Sequence, residues 1–306
     1  MEVTIIRVSH VRMVSPSSVR EALQALDEYG HTMKIVAGST DVSVSLKDGN
    51  LKEECLLDIS YLDSLRFIKR QNGLIHLGAL TTYADCIRSP TIQKNAHILI
   101  DTFNALASPQ IRNLATVAGN LGNASPAGDA IPPLFVLNAS VVLESLSGRR
   151  KIAIRDFFTG YRETERKPNE LITEMEFCPV RKDEVTFFKK LGQRQANAIA
   201  IASIAFWGRI TKGPSFVDTR ISLGAVAPTV IRATGAEQAL IKGKFTRARI
   251  REVSKLCSLE ASPISDVRGS AEFRRRSIDG LAQSGFLEIL ESLKIERRAS
   301  VSRSLC

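Results

Sequence analysis

Apolar residues in this chain come in short, interrupted groups, and their spacing predicts helices and strands in mixed order. Residues 17–29 read as a first helix. Leu23 and Leu26 give it an apolar face, Ser17 or Ser18 caps it, Glu21 lies in capping-box range, and Gly30 ends it. Residues 34–37 form a short buried strand. Gly38, Ser39, Thr40 and Asp41 break it, and 42–47 begin a new element. A second strand follows at 56–59. Residues 65–69 and 74–77 pair as a hairpin about Asn72-Gly73. Thr81 or Thr82 caps a helix running through Arg88, and 92–106 read as another.

Residues 108–133 fit neither period and read as a long loop rich in glycine, proline and small side chains. Long loops inside compact domains are usually functional or disordered, and the apolar, patterned flanks argue for function. A backbone that wraps a phosphate-bearing ligand is the expectation. The strand–glycine–helix junction at 34–47 is the same kind of place, because backbone N–H groups there point outward together and can hold an anion.

Beyond the loop, 141–144 and 151–154 read as a β pair about Ser147-Gly148, with a short helical turn from Asp156 through Phe158. Residues 171–177 alternate as a strand, and 179–183 read as a domain boundary. Strands at 185–189, 199–209 and 218–225 then predict an antiparallel sheet. Helices follow at 233–241, 246–259 and 270–292, with a loose tail from about Glu296.

Composition narrows the classes. The 306 residues are 44% hydrophobic, enough for one large or two modest domains. The longest apolar run, 198–207, is too short for a membrane span of roughly 18 residues. Residues 1–16 show no signal-peptide pattern, so the cytoplasm is the expected address. Cys55, Cys86, Cys178, Cys257 and Cys306 are scattered and read as free thiols, without zinc or iron–sulfur spacing. His10, His31, His76 and His97 stand apart in sequence, which argues against a catalytic histidine or a metal cluster. The net charge of +10 concentrates late, in runs such as Arg274-Arg275-Arg276, and reads as solvated helix faces. With four tyrosines and one tryptophan, no basic stripe is interleaved with aromatics, which argues against a nucleic-acid binder.

Several motifs in order carry a resemblance. They are Lys34-Ile35-Val36-Ala37-Gly38-Ser39-Thr40-Asp41; Ile111-Arg112-Asn113 leading to Thr116-Val117-Ala118-Gly119-Asn120; and Asn123 to Asp129. Further on come Lys190-Leu191-Gly192-Gln193-Arg194, then Gly224-Ala225-Val226-Ala227-Pro228-Thr229, and a last motif from Asp266 to Arg274. Over 26–276 the chain resembles the FAD-binding medium subunits of the molybdenum hydroxylases, the family of xanthine dehydrogenase and carbon monoxide dehydrogenase.

The resemblance implies an α+β fold: a two-part FAD-binding domain of the PCMH type, then a smaller α+β C-terminal domain of antiparallel sheet plus helices. On this chain that means 1–180 (subdomains about 1–60 and 61–180), 181–290, and a tail at 291–306. It implies noncovalent FAD. Lys34, Ile35, Val36, Ala37, Gly38, Ser39, Thr40 and Asp41 wrap the pyrophosphate from one side. Thr116, Val117, Ala118, Gly119 and Asn120 close from the other, with Asp129 on the adenosine or ribityl side. Leu106 and Ile172 match apolar positions lining the cofactor, and Lys190 matches a lysine near the flavin. The family usually has Gly-Gly where this chain has Gly38-Ser39 and Ala118-Gly119. Serine and alanine tolerate positive φ far less well than glycine, so these two positions decide how well the cradle forms.

The resemblance also implies an electron relay in a heterotrimer. A molybdopterin large subunit and a small subunit with 2Fe-2S clusters are the expected partners, and the electrons pass to an acceptor such as NAD, with a quinone, ferredoxin or oxygen left open. No catalytic side chain and no metal ligand is assigned on this chain, because hydride exchange at a flavin needs no side-chain acid or base. A free-standing flavin oxidoreductase is the alternative within the same fold. A non-enzymatic basic nucleic-acid module ranks below both.

Overall fold

A computed structural model describes residues 11–303 apart from 195, 212 and 214, and from 294 on it describes the backbone alone. Residues 1–10 and Cys306, on which some of the expectations above rest, lie outside the described residues. The chain divides into two compact units. One comprises Met1–Lys94, Ala107–Ser125 and Asn138–Pro179; the other comprises Asn95–Leu106, Pro126–Leu137 and Val180–Cys306.

The first unit contains a small parallel sheet in the order β1-β3-β2, made of β1 (Arg12–Val14), β2 (Met33–Val36) and β3 (Cys55–Asp58). Val36, Val42 and Leu56 form its small core. The helix Val19–Tyr29 starts as the sequence predicts: Ser18 accepts from the Glu21 N–H, and the Glu21 carboxylate accepts from the Ser17 N–H at 2.8 Å. Its end differs. Gly30 keeps a right-handed φ of −56°, so it is no left-handed cap. A Cβ there would lie 2.4 Å from both Leu26 O and Pro168 O, so close backbone approach selects the glycine.

The same unit holds β4 (Ile68–Gln71), β5 (Leu74–Gly78), β6 (Ser140–Ser145), β7 (Gly148–Ala153), the small pair β8 (Phe158–Gly160) and β9 (Glu163–Thr164), and β10 (Leu171–Phe177). The larger strands form an antiparallel sheet ordered β4-β5-β10-β6-β7. Asn72 and Gly73 turn β4 into β5 with φ of 52° and 79°, as their sequence predicts. Leu65 belongs to a 3-10 turn, Asp63–Leu65, ahead of the hairpin.

Two expectations about helices need correction. The helix predicted over 92–106 is two helices, Pro90–Asn95 and His97–Asn104. They break at Ala96, with φ −155° and ψ 53°, where the Asn95 carbonyl accepts from the Val180 N–H at 2.7 Å. The stretch 108–133 is mostly helical: Pro109–Leu114, Val117–Asn123 and Ile131–Val136. Each has six or seven residues, under two turns, which is too short for a helical period to show. Their starts were legible, since Ser108 and Thr116 both cap through their hydroxyls and Pro109 occupies the first turn.

The second unit carries the antiparallel sheet β11 (Glu184–Gly192), β12 (Ala200–Ile210), β13 (Phe216–Gly224) and β14 (Ile231–Arg232), in that order. The helices Thr234–Ile241, Arg247–Glu260 and Ala271–Arg303 belong to this unit as well. The last continues to Arg303, past the point at which the sequence reads as a tail. Phe187, Phe206, Phe216, Phe245 and Phe286 form an edge-to-face aromatic core, with Phe206 and Phe286 centroids 5.0 Å apart. Among the described residues, no helix is long and apolar enough to cross a membrane.

Candidate functional site

In the first unit, β2 runs into the turn at 37–41. Among the described residues, no hydrogen bond engages the N–H of Gly38, Ser39, Thr40 or Asp41. Unengaged backbone donors ahead of a helix favour an anion, and these four lead into the helix Val42–Lys47. Gly38 is there for space. A Cβ at 38 would lie 1.8 Å from Leu114 O, so only glycine lets this turn meet the end of the helix Pro109–Leu114. Ser39 takes the left-handed conformation, φ 59°, and its Oγ lies 2.9 Å from Ser43 Oγ.

The second wall begins at Thr116. Its backbone pairs with Thr82, and its Oγ1 accepts from the Gly119 N–H at 2.9 Å. The Val117 N–H donates to Thr81 O at 3.2 Å, while that of Ala118 has no partner among the described residues. Ala118 sits inside the helix Val117–Asn123 with ordinary helical backbone, so the alanine is tolerated. Of the two departures from Gly-Gly, Ser39 is the one placed at positive φ. Between the two walls lies a small cleft lined by Ala37, Gly38, Arg66, Thr82, Leu114 and Thr116, among others.

The walls are tied at one end by a chain of side chains. Asn123 Nδ2 donates to Asp41 Oδ1 at 3.0 Å, and Arg162 Nη1 donates to Asn123 Oδ1 at 3.0 Å. Arg162, itself at φ 58°, carries no sequence signal: it is a lone arginine in the turn between β8 and β9. Lys34 turns its ammonium to Glu53, 3.5 Å away, so it offers the site its backbone. Ile35 and Val36 are strand residues of β2. Ile172 is buried beside the helix Val117–Asn123, its Cδ1 lying 3.7 Å from where a Cβ on Gly122 would be. Asn120 Oδ1 is buried without a hydrogen-bond partner among the described residues.

In the second unit, Asp129 and Lys190 come together although 61 residues separate them: Lys190 Nζ donates to Asp129 Oδ2 at 2.5 Å. Both side chains are 7% exposed. Burial pushes the Asp129 carboxyl up to about 6, and the nearby Lys190 ammonium opposes that shift. Asp129 Oδ1 is left without a partner among the described residues. Leu106 is buried just past the helix His97–Asn104.

Taken unit by unit, these groups suit FAD. The first unit offers unengaged N–H donors, a glycine approach and no acidic side chain among the cleft residues named above. Asn120 Oδ1 and Asp129 Oδ1 are buried acceptors awaiting donors, as sugar or ribityl hydroxyls are.

The structure also assembles a group that the isolated histidines did not foretell. His76 on β5 faces Glu174 and Glu176 on β10, within reach of a common ion. The outer oxygens of both acids are already held by cations: Arg149 pairs with Glu174 and Lys151 with Glu176. His76 Nδ1 contacts Glu174, and its Nε2 lies 3.2 Å from Gln71 O. The group is a cross-strand ion network.

Residues 9–179 match the family model for the FAD binding domain in molybdopterin dehydrogenase, and 187–289 match that for the CO dehydrogenase flavoprotein C-terminal domain. The glyceraldehyde dehydrogenase medium chain of Sulfolobus acidocaldarius is 30% identical over 276 residues, covering 90% of this chain and 97% of that one. The carbon monoxide dehydrogenase medium chain of Hydrogenophaga pseudoflava is 29% identical, covering 85% and 90%. A solved structure of carbon monoxide dehydrogenase from the same organism superposes with a TM-score of 0.87 at 28% identity, covering 90% of this chain and 95% of that one. The chain belongs to the FAD-binding medium-subunit family of the xanthine dehydrogenase and carbon monoxide dehydrogenase type.

Proposed function

We propose that this subunit receives electrons from the 2Fe-2S clusters of a small partner subunit and delivers them to NAD. A molybdopterin large subunit would oxidise the substrate. When bound, FAD supplies the exchange between one-electron and hydride chemistry. The residues of this chain hold and orient it. The N–H groups of Gly38 to Asp41 and of Ala118 take the pyrophosphate oxygens, and Thr116 fixes the second wall. Asp129 Oδ1 accepts from a hydroxyl of the adenosine or ribityl part, while Lys190 keeps Asp129 ionised and places a cation near the flavin. Leu106 and Ile172 exclude water. We read 1–180 as the FAD-binding domain, 181–290 as the C-terminal domain and the cytoplasm as the compartment.

The observation that carries this reading is the row of unengaged backbone donors at 38–41, inside the region matched to an FAD-binding domain. The experiment is an absorbance spectrum of the purified chain, with acid release of the flavin, followed by anaerobic addition of NADH. Flavin bands, release of intact FAD and bleaching by NADH are expected. A colourless chain that takes up no FAD on titration sinks the cofactor assignment. Flavin that NADH does not reduce points to another acceptor, and unaided turnover of a substrate by this chain alone favours the free-standing oxidoreductase.

A further inference from the structure

Two of the sequence motifs, those around Ala225 and Arg274, have no place in the cradle described above. In the second unit they meet. Arg274, near the start of the helix Ala271–Arg303, is 4% exposed. Its Nη1 donates to Ile201 O at 2.8 Å and to Ala225 O at 2.9 Å, and its Nη2 donates to Asp266 Oδ1 at 2.7 Å. Its Nε is buried without a partner among the described residues. A buried guanidinium with an unmatched N–H is a poor way to fill space, because an apolar side chain of similar volume avoids the desolvation penalty. Arg274 therefore needs a reason other than packing.

Ala225 supplies it. This residue follows β13 in the left-handed conformation, φ 61°, which non-glycine residues hold only when their surroundings dictate it. Its carbonyl takes Arg274, and its N–H donates to Pro126 O at 2.8 Å. Pro126 opens the segment that reaches Asp129. Asp129 in turn pairs with Lys190 on β11. Lys190 stands opposite Ser203 on β12, and Ser203 stands opposite Gly224 on β13. There is no slack at this end of the sheet: a Cβ on Gly224 would lie 2.5 Å from Ser203 Oγ and 2.9 Å from Pro132 Cγ. Both carbonyls that Arg274 holds thus belong to the strand ends beside the Asp129–Lys190 pair.

We propose that Arg274 is a positioning residue for the cofactor: by clamping Ala225 in its left-handed turn, it fixes the 126–129 segment and so aims Asp129 and Lys190. This rests on the reading of Asp129 and Lys190 as FAD contacts. Asp266 orients the guanidinium, and the turn it belongs to is self-fastened, with the Asp266 carboxylate also accepting from the Arg268 N–H at 2.8 Å.

The test uses the full chain, stripped of flavin and titrated with FAD, with the visible circular dichroism of the bound flavin as second readout. R274M is expected to raise the Kd for FAD about tenfold or more, as a misplaced contact group does, and to change the dichroism. R274K, whose three N–H donors radiate from one nitrogen and cannot span acceptors that sit on two arms of a planar fork, moves both readouts the same way and carries the test if R274M does not fold. A225G added to R274K or R274M is expected to recover most of the lost affinity, because glycine holds positive φ unaided. Loss of packing alone would not be repaired by a glycine at 225. Variants at Arg274 that bind FAD within about twofold of wild type, under 0.5 kcal/mol by the usual conversion, overturn the proposal, as does a folded double variant that recovers nothing. Wild-type chain that takes up no FAD overturns the cofactor reading and this proposal with it; loaded wild type with indifferent variants overturns this proposal alone.

Discussion

At the scale of single residues, three small side chains in the cradle have three different jobs. Gly38 is selected by contact, Ser39 holds positive φ, and Ala118 is an ordinary helix residue. G38A forces Cβ into the Leu114 carbonyl, so we expect a loss of about 2 kcal/mol or more and weakened FAD uptake. A118G should cost no more than about 1 kcal/mol, the helix penalty of glycine, with FAD uptake intact. S39G should be nearly neutral, since relief of the left-handed backbone offsets glycine's entropy and the lost Ser43 contact. Denaturant melts and FAD titrations of the three variants check this. Asp129 gives a pH signature. Its carboxyl is raised from 3.8 to about 6, so between those values the folded chain holds more protons than the unfolded one. Its contribution therefore favours folding at low pH and is lost as pH rises through about 6. D129N mimics the protonated carboxyl and should match wild type most closely at low pH. It should also lack this downward slope, which is on the order of 2 kcal/mol in wild type. Melts from pH 4 to pH 7 on both proteins decide it; parallel curves would refute the assignment.

At the scale of elements, β10 shows how neighbours override pattern. Its sequence, LITEMEF, alternates as a strand with one wet face should, yet all seven residues are buried. It occupies the centre of its sheet, between β5 and β6, so His76 covers its acids from one side and Arg149 and Lys151 reach over from β7. Glu174 is thus a buried side chain whose two oxygens are held by His76 and Arg149. E174A removes Arg149's partner and the nearer of His76's two carboxylates and should cost on the order of 1–2 kcal/mol, whereas E272A, in an exposed pair with Arg276, should stay within about 0.5 kcal/mol. Urea unfolding of the two variants makes the comparison, and equal losses would contradict it. The short helices of 108–123 teach the complementary lesson. Their caps are written in Ser108, Pro109 and Thr116, but six- and seven-residue helices lack the length for a hydrophobic stripe.

At the scale of the whole molecule, the first unit is built from three separate stretches of chain and the second from three others. The cradle at 34–41 and 116–120 lies in the first unit, and the Asp129–Lys190 pair in the second. The sequence by itself determined the α+β class, most strands, the two turn-rich stretches and, through ordered motifs, the family. Those signals are local: turn residues, caps and short apolar runs act over a few neighbours, so they survive in one dimension. Only tertiary structure decided that Gly38 answers to Leu114, that Asp129 spends one oxygen on Lys190 and keeps the other free, and that His76 joins two glutamates. It alone placed the strain at Ser39 and Ala225 and left Ala118 relaxed. Each of these depends on which distant backbone or charge arrives within a few ångströms, and sequence spacing does not encode that distance.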